Sequence, residues 1–275
     1  MEDFRIKELF SLYMKVVRTP HLEDEEAGDP RLRGKKLGVI NGSSWITLWS
    51  YFFGRKILPG VKIINVGNDA IQYNFIKAYK EGRDCPPIEN IETFKRYALD
   101  LVLLYKPDAI LISCSTMNRA YVHVKEVLRP YNIPVISIDT PMMEEAIKLV
   151  DKGKILVIAT HGPTVKSTQL LLQEVANSMN KTVNFLGKTV EEAFELLDKG
   201  DIEGHNRVIG DVIRKYTQKE DIDVVVLAQL SMSVFKLSYP EDLEVFGVPV
   251  LTSGECGFKK IRKILLEEGA QLEVR

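Results

Sequence analysis

An internal repeat sets the strongest limit on the fold of this sequence. Residues 108–118 read DAILISCSTMN and residues 223–233 read DVVVLAQLSMS, so each copy joins an Asp, an apolar run and a small polar segment that contains Met. A proline follows at the same distance in both copies, twenty residues after Cys114 and twenty after Gln229. Repetition of this kind is typical of one supersecondary unit used twice. The copies differ in chemistry at one place, because Cys114 stands where the second copy has Gln229.

Short apolar runs alternate with helical patterns from Lys36 onward. The runs are continuously apolar, which is typical of strands covered on both faces and hence of a parallel sheet with helices between its strands. Apolar residues at helical spacing from Ile91 to Tyr105 mark one of these helices. The predicted strands are 36–41, 61–66, 109–114, 134–138, 154–160, 182–186, 224–229 and 248–252.

These elements predict an α/β fold in which a four-strand unit occurs twice. We expect two similar parallel-sheet lobes related by a pseudo-two-fold axis. The expected divisions are an N-terminal helix and linker at 1–35, a first lobe at 36–145 and a second lobe at 146–275. A chain of 275 residues with 45% hydrophobic and 27% charged residues is long and apolar enough for such cores.

Four chemically distinctive side chains directly follow or end predicted strands. Asn41, Cys114, Thr160 and Gln229 all lie at strand carboxyl ends, and the glycine turns VINGSS and VIATHGPT open the two units. In open parallel sheets, ligands bind beyond the carboxyl ends of the strands. We therefore expect the two strand edges to face each other and to form one ligand site in the cleft between the lobes.

Charge and cysteine content narrow the class of partner. The net charge is −1 with acids and bases interspersed, so nothing indicates nucleic acid or an anionic membrane surface as a partner. The N-terminus does not resemble a signal peptide, and no apolar run is long enough for a membrane span. Three cysteines without metal-ligand spacing indicate free thiols, no metal site and a cytoplasmic location. A small molecule or a second subunit is the expected partner, and a homo-oligomer stays open.

The N-terminal region has its own pattern. Apolar residues at helical spacing predict an amphipathic helix over residues 3–18, and the charged, Pro- and Gly-containing stretch 19–36 predicts a surface linker. Such a helix packs on the body of the protein or on a second subunit. An active-site lid is the alternative.

Four segments together resemble the aspartate/glutamate/hydantoin racemase superfamily. KILVIATHGPTVKST is similar to the family's second-half opening, ILISCSTMN to its first-half cysteine segment, VINGSS to its first-half opening, and IPVISIDTPMMEEA to the segment after the first cysteine. The resemblance spans nearly all of residues 36–265. It implies two α/β lobes, no cofactor, and one cysteine from each lobe on opposite faces of the substrate carbon. One thiolate would take a proton while the other thiol donates one.

The sequence departs from the family at the second cysteine. Where the family has roughly Leu-Gly-Cys-Thr followed by an acid or His, residues 227–231 read LAQLS. Glutamine has no proton to exchange at neutral pH, although its amide donates and accepts hydrogen bonds. The symmetric two-thiol mechanism is therefore not available through the usual residues.

Three functions stay open at this point. The first is a cofactor-independent racemase or isomerase acting on a small carboxylate or hydantoin-type compound. The second is a one-thiol lyase or decarboxylase, or an isomerase that forms a covalent thiol adduct to convert cis and trans forms. The third is a non-catalytic protein that binds a small ligand.

Three residues are the candidates for catalysis. Cys114 is expected to be the base or nucleophile, with a low pKa because a strand end followed by a helix start favours the thiolate. Gln229 is its counterpart in the second copy. His161, inside the second glycine turn, is a candidate acid or base, with the alternative that it merely fills a variable position. Cys256, after the last predicted strand, is a weaker candidate for the missing thiol.

Backbone N–H groups, hydroxyls and amides in the strand-end turns are candidates for holding a substrate carboxylate. The predicted substrate-binding residues are Asn41, Gly42, Ser43, Ser44, Ser115, Thr116, Asn118, Thr160, Gly162, Thr164 and Ser231. An aromatic cluster follows the first turn and is expected to serve core or subunit packing, or else to form an apolar wall for the substrate. Its members are Trp45, Trp49, Tyr51, Phe52 and Phe53.

Overall fold

The computed structural model describes residues 6–17 and 28–272, with side chains up to residue 267. The chain divides into two compact units. The first unit comprises the described parts of Met1–Ser113, Arg119–Ile136 and Phe258–Arg275. The second comprises Cys114–Asn118 and Ser137–Gly257.

The first sheet has the strand order β2-β1-β3-β4. Its strands are β1 (Lys36–Asn41), β2 (Lys62–Gly67), β3 (Ala109–Ile112) and β4 (Val135–Ser137). Strand β1 pairs in parallel with both β2 and β3. The helices before and between these strands are α1 (Ile6–Val17), α2 (Thr47–Ile57), α3 (Asp69–Lys80), α4 (Ile88–Leu104) and α5 (Tyr121–Leu128).

The second sheet repeats the arrangement with the order β6-β5-β7-β8. Its strands are β5 (Lys154–Ala159), β6 (Asn184–Thr189), β7 (Ile222–Leu227) and β8 (Val250–Thr252), and the pairs are parallel. The remaining helices are α6 (Thr140–Leu149), α7 (Gly162–Ser178), α8 (Glu191–Asp198), α9 (Ile202–Thr217), α10 (Phe235–Ser238), α11 (Asp242–Phe246) and α12 (Ser253–Leu272). The predicted α/β fold with two four-strand parallel sheets is confirmed.

All eight predicted strands form, with ends that shift by a few residues. The central strands β1, β3, β5 and β7 are almost wholly buried, as continuous apolar runs predict. The predicted helix from Ile91 to Tyr105 forms as the longer α4.

The Asp that begins each repeat has a structural role at the start of the central strands. Asp108 accepts a hydrogen bond from the backbone N–H of Lys36, with 2.7 Å between Oδ2 and N. In the second sheet, Asp223 accepts hydrogen bonds from the N–H groups of Asp151 and Gly153, each at 2.8 Å. Asp108 thus connects the start of β1 to the start of β3, and Asp223 connects the segment before β5 to β7.

The helix after the last strand of each sheet belongs to the other unit. Helix α6 follows β4, yet it packs against α7 and β7 of the second unit. Helix α12 follows β8, but from Phe258 onward it belongs to the first unit, where Arg262 contacts Asp29 at 2.9 Å. The division expected at residue 146 lies inside α6.

Helix α1 confirms the central part of the predicted N-terminal helix. It packs against α2, and the Arg55 guanidinium donates hydrogen bonds to the carbonyls of Val16 and Val17 at 2.6 and 2.7 Å. This contact supports packing on the body of the protein. Residues 3–5 and 18 of the predicted helix, and residues 19–27 of the predicted linker, lie outside the described residues.

Candidate active site

The turn that carries Cys114 differs from the expected helix start. Strand β3 ends at Ile112, and residues 115–120 form a 3₁₀ segment with an irregular backbone at Met117, before α5 begins at Tyr121. No α-helix therefore begins directly after Cys114, and the expected effect of a helix dipole on its thiol is not supported. The pattern of apolar and polar residues in this segment does not distinguish a 3₁₀ helix from an α-helix.

The Thr116 hydroxyl, rather than a helix dipole, lies next to the Cys114 thiol. Cys114 is partly exposed, and its Sγ lies 3.2 Å from Oγ1 of Thr116. A hydroxyl that donates a hydrogen bond to a thiolate favours the charged form. Thr116 is therefore placed to stabilise the thiolate of Cys114.

Two hydrogen bonds fix the Cys114 turn within the second unit. Ser115 donates its hydroxyl hydrogen to Oδ1 of Asp139 at 2.8 Å. Ser167 on α7 donates to Oδ1 of Asn118 at 3.0 Å. These bonds explain why Cys114–Asn118 belongs to the second unit although β3 belongs to the first.

Labelling of Cys114 by iodoacetamide is expected to rise with pH, because the thiolate is the reactive form, and the midpoint of this rise is expected to depend on residue 116. The reason is the Thr116 hydroxyl, so Thr116→Val should move the midpoint to higher pH. Thr116→Ser keeps the hydroxyl and should leave the midpoint unchanged. Rates measured against pH by mass spectrometry of the Cys114 peptide check this, and an unreactive Cys114 would contradict its assignment as a base or nucleophile.

The second strand-end turn holds Gln229 in one orientation. The register pairs Ile158 with Leu227, so Thr160 and Gln229 both lie two residues beyond this pair. Oε1 of Gln229 accepts hydrogen bonds from the backbone N–H of Thr160 at 2.6 Å and from its hydroxyl at 2.9 Å. Because a backbone N–H only donates, the partner must be the amide oxygen, and the Nε2 hydrogens point elsewhere. Both donors of Thr160 are engaged by Gln229.

The N-terminus of α7 contains buried polar atoms. His161 precedes the helix, its ring centroid lies 4.6 Å from that of Phe194, and its Nε2 is buried without a hydrogen-bond partner. Burial lowers the pKa of His161, while nearby Glu191 raises it to a lesser extent. Thr164 is fully buried, and its hydroxyl also has no hydrogen-bond partner. Gly162, the first residue of α7, is partly exposed.

Ser231 lies in a short 3₁₀ segment, Leu230–Val234, directly after Gln229, and its side chain is buried. The segments that follow Cys114 and Gln229 are thus both 3₁₀ turns, which extends the repeat beyond the strands.

The second unit contains most of the predicted site residues. They are Cys114, Ser115, Thr116, Asn118, Thr160, His161, Gly162, Thr164, Gln229 and Ser231.

The predicted residues of the first glycine turn lie in the first unit. Asn41 is fully buried, and its amide donates to Oδ1 of Asn65 at 2.9 Å while its oxygen accepts from the hydroxyls of Ser50 and Ser113. These bonds tie β1 to its neighbours, so Asn41 has a structural role at the strand ends. Gly42 and Ser43 are also buried.

Ser44 is exposed and is held by the first residue of α3. Both its backbone N–H and its hydroxyl bond the carboxylate of Asp69, with 2.8 Å from N to Oδ1. The aromatic cluster that follows is divided: Tyr51 and Phe53 are buried, whereas Trp45 and Phe52 are exposed. Core packing explains the first pair only.

The weaker thiol candidate lies on a helix. Cys256 is in the first turns of α12, partly buried against the apolar core of the second unit. None of the three cysteines, all of which lie in the described part of the chain, forms a disulfide. Among residues 6–17 and 28–267, no group of three or more His, Cys, Asp or Glu side chains could hold a metal ion. No helix in the described part of the chain is long and apolar enough to cross a membrane.

Asp139 belongs to this region but was missed from the sequence. It is fully buried at the start of α6, its Oδ1 accepts the Ser115 hydrogen bond, and its Oδ2 has no hydrogen-bond partner. Burial raises its pKa to about 7, against a smaller lowering effect of the Ser115 hydrogen bond. The available signal was an ionisable residue directly after the predicted strand 134–138.

Comparison with known proteins identifies the family. The Asp/Glu/Hydantoin racemase family matches residues 62–261. No curated protein sequence matches the chain. Among solved structures, glutamate racemase isoform RacE1 from Bacillus anthracis shares 21% identity over 86% of this chain and 84% of its own, with a TM-score of 0.58.

Two further structures are similar in fold. Allantoin racemase from Pseudomonas fluorescens shares 16% identity over 85% of this chain and 92% of its own, with a TM-score of 0.59. An aspartate racemase homologue from Pyrococcus horikoshii shares 20% identity over 86% of this chain and 99% of its own, with a TM-score of 0.58. The chain belongs to the Asp/Glu/hydantoin racemase family and is, by that membership, a racemase-like isomerase.

Proposed function

We propose that this protein is a cofactor-independent isomerase or racemase that acts on a small carboxylate or hydantoin-type compound, with Cys114 as its base or nucleophile. The observation that carries the proposal is the Cys114 turn. A partly exposed thiol lies 3.2 Å from a hydroxyl that can stabilise its thiolate, inside the part of the chain that the family matches.

The thiolate of Cys114 would remove a proton from the substrate carbon next to a carbonyl or carboxylate group. The C–H electron pair then moves into that group, which becomes an enolate-like anion, and the proton resides on Sγ. Return of a proton to the carbon completes an exchange, an isomerisation or a racemisation, depending on where the proton is delivered. Such proton transfer requires a group whose pKa is near the working pH.

Gln229 would act as a hydrogen-bond donor in this reaction. Thr160 binds its oxygen with two donors, which leaves the Nε2 hydrogens to face a ligand. Donors fixed in advance stabilise charge that develops in a transition state, because they need no reorganisation during the reaction. Gln229 would therefore bind the anion formed by proton removal, while Thr160 holds the amide in place.

The fixed amide also favours a second candidate function, a reaction that needs one thiol only. In a decarboxylation, the bond from carbon to the carboxylate breaks, CO₂ leaves, and the thiol of Cys114 protonates the carbon that retains the electron pair. In a cis–trans isomerisation, the thiolate adds to a carbon–carbon double bond, which becomes a single bond and rotates. Elimination of the thiolate then restores the double bond. Neither reaction requires an acid at Gln229.

The remaining predicted residues have supporting roles in this proposal. Ser115, Thr164 and Ser231, all in the second unit, supply hydroxyl groups for a substrate carboxylate. His161 is mainly neutral at pH 7, since burial lowers its pKa, so we assign it a neutral hydrogen-bonding role. Free cysteines fit a reducing compartment, and we propose the cytoplasm. Neither nucleic acid nor a membrane is proposed as a partner, and a homo-oligomer is compatible with this function.

Solvent deuterium provides the test of the reaction class. The protein, without added metal or cofactor, is incubated in D₂O with a panel of small carboxylates and hydantoins, and deuterium at the acidic carbon is measured by NMR. Exchange, isomerisation or CO₂ release with at least one member is expected. A protein inert towards the whole panel would contradict the proposed function.

For L-Asp and L-Glu, fast racemisation is not expected, because loss of one positioned acid or base costs about 10²–10⁴-fold. Gln229→Cys should create weak racemisation, since it restores a thiol in the second copy, whereas Gln229→Leu should not. Chiral chromatography measures both isomers. Fast racemisation by the unmodified protein would contradict the asymmetric site and would direct attention to His161 and Cys256.

A further inference from the structure

The pair formed by Ser115 and Asp139 is the least explained polar contact near Cys114. Asp139 is fully buried, and one of its oxygens has only the Ser115 hydroxyl as its hydrogen-bond partner. The other oxygen, Oδ2, is buried without any partner. An ionised carboxylate in such a place is costly, because burial without pairing destabilises a charge strongly. A neutral carboxyl group is far less costly there.

The protonation state of Asp139 decides the direction of this hydrogen bond. An ionised carboxylate only accepts, so Ser115 must then donate its hydrogen to Asp139 and offers the site only oxygen lone pairs. A protonated carboxyl group can donate its hydrogen to Oγ of Ser115 instead. The Ser115 hydrogen is then free to bind another acceptor. Ser115 is adjacent to Cys114, so this change alters what the thiol's surroundings can bind.

We infer that Asp139 is a positioning residue that, in its neutral form, turns the Ser115 hydroxyl into a donor for a substrate carboxylate beside Cys114, and in its ionised form prevents this. The inference rests on the proposed function, because it assumes a carboxylate substrate at the Cys114 turn. It adds a specificity element that lies outside the residues expected from the sequence. A carboxylate ligand should bind best when Asp139 is neutral, and poorly once it has ionised.

Other ionisable side chains lie on the elements that are packed around Asp139. The packed elements are α6, α7, β7, β8, the Cys114 turn and the first turn of α12, where Gly257 approaches Ile138. The unexposed ionisable side chains on these elements, apart from Asp223 at the opposite end of β7, are Cys114, Arg119, Glu144, Glu145, His161, Glu255 and Cys256. Burial and the Ser115 hydrogen bond, rather than any of these charges, set the pKa of Asp139 at about 7.

Two alkylating reagents that differ in charge provide the experiment. Iodoacetate carries a carboxylate and iodoacetamide is neutral, yet both react with the same thiolate, so the ratio of their rates at Cys114 cancels the thiolate fraction. Between pH 6 and pH 8 this ratio is expected to fall about tenfold, as the neutral fraction of a group titrating near pH 7 does. Mass spectrometry resolves the Cys114 peptide, and the exposed Cys85 gives the intrinsic ratio of the two reagents.

Variants decide whether Asp139 and Ser115 cause the change. Asp139→Asn should make the ratio independent of pH, and Ser115→Ala should hold it near the low value of the unmodified protein at pH 8. If Asp139→Asn does not fold, Ser115→Ala alone decides. A flat ratio in the unmodified protein, or full pH dependence in either variant, would overturn the inference. The ratio needs no turnover, so an inert protein with a titrating ratio would contradict the proposed reaction while leaving this inference standing.

Discussion

Replacing Cys114 by Ala is expected to reduce turnover of any substrate found in the panel by at least about 10²–10⁴-fold, the usual cost of losing a positioned proton-transfer group. The loss should be large because the ionisable groups near the Cys114 turn are poorly suited to replace its thiolate. His161 is kept largely neutral by burial, and Asp139 is fully buried behind Ser115. Deuterium exchange measured by NMR under saturating substrate gives the change in rate.

Two matched variants separate chemistry from folding. Cys114→Ser keeps the size and polarity of the side chain but replaces the thiol by a hydroxyl, which is a far weaker base and nucleophile near neutral pH, so it should be nearly as inactive. Cys256→Ser removes a thiol that lies on α12 and packs against the apolar core of the second unit, and it should retain most of the activity. Retained activity in Cys114→Ala together with loss in Cys256→Ser would show that the catalytic thiol has been assigned to the wrong residue.

The strands were predictable because their sequence signal is local. A parallel strand covered on both faces must be apolar at every position, and residues 109–112 or 224–227 show this without reference to the rest of the chain. The repeat predicted that a four-strand unit occurs twice, and the two sheets share one strand order. The Asp that opens each copy also proved meaningful, because Asp108 and Asp223 bind backbone N–H groups at the start of a central strand.

The exchange of helices α6 and α12 between the units was not predictable by the same means. Hydrophobic spacing identifies a helix and its apolar face, but it does not identify the surface against which that face packs. Helix α6 directly follows β4 in sequence, so a boundary close to it was the natural expectation. Its contacts with α7 and β7 depend on residues far along the chain.

The hydrogen-bond partners of the site residues were less predictable than their places at strand ends. Residues at strand ends are predicted to bind substrate, and the structure shows that Asn41 bonds Asn65 while Thr160 bonds Gln229. Sequence shows which side chains are polar, whereas the partner of each one depends on register across the sheet. Asp139 was overlooked for the same reason, since its complete burial and its bond to Ser115 appear only in three dimensions.

A buried histidine that is not among the predicted site residues leads to the second large effect. His205 on α9 is fully buried, and neither ring nitrogen has a hydrogen-bond partner. Burial lowers its pKa to about 4, although nearby Asp201 acts in the opposite direction. The folded protein therefore holds this ring neutral at a pH where an unfolded chain, with a histidine pKa of about 6.5, would protonate it.

Acidification from pH 6.5 to pH 4 is expected to lower the free energy of unfolding by about 3 kcal/mol through His205 alone, since each pKa unit corresponds to about 1.4 kcal/mol. The sign follows from the depressed pKa of the folded state: above pH 6.5 neither state binds the proton, and below it the unfolded state binds the proton first. Asp139, whose folded pKa is raised to about 7, contributes with the opposite sign as the pH falls from 7 towards its ordinary value.

The test is therefore the difference in urea unfolding free energy between the unmodified protein and His205→Gln, because the Asp139 contribution cancels in it. That difference should change by about 3 kcal/mol across this range, in favour of the variant at low pH, whereas replacement of the exposed His123 by Gln should produce little change. A pH-independent difference for His205→Gln would mean that the folded protein accommodates the charged ring, and that its burial does not govern acid stability.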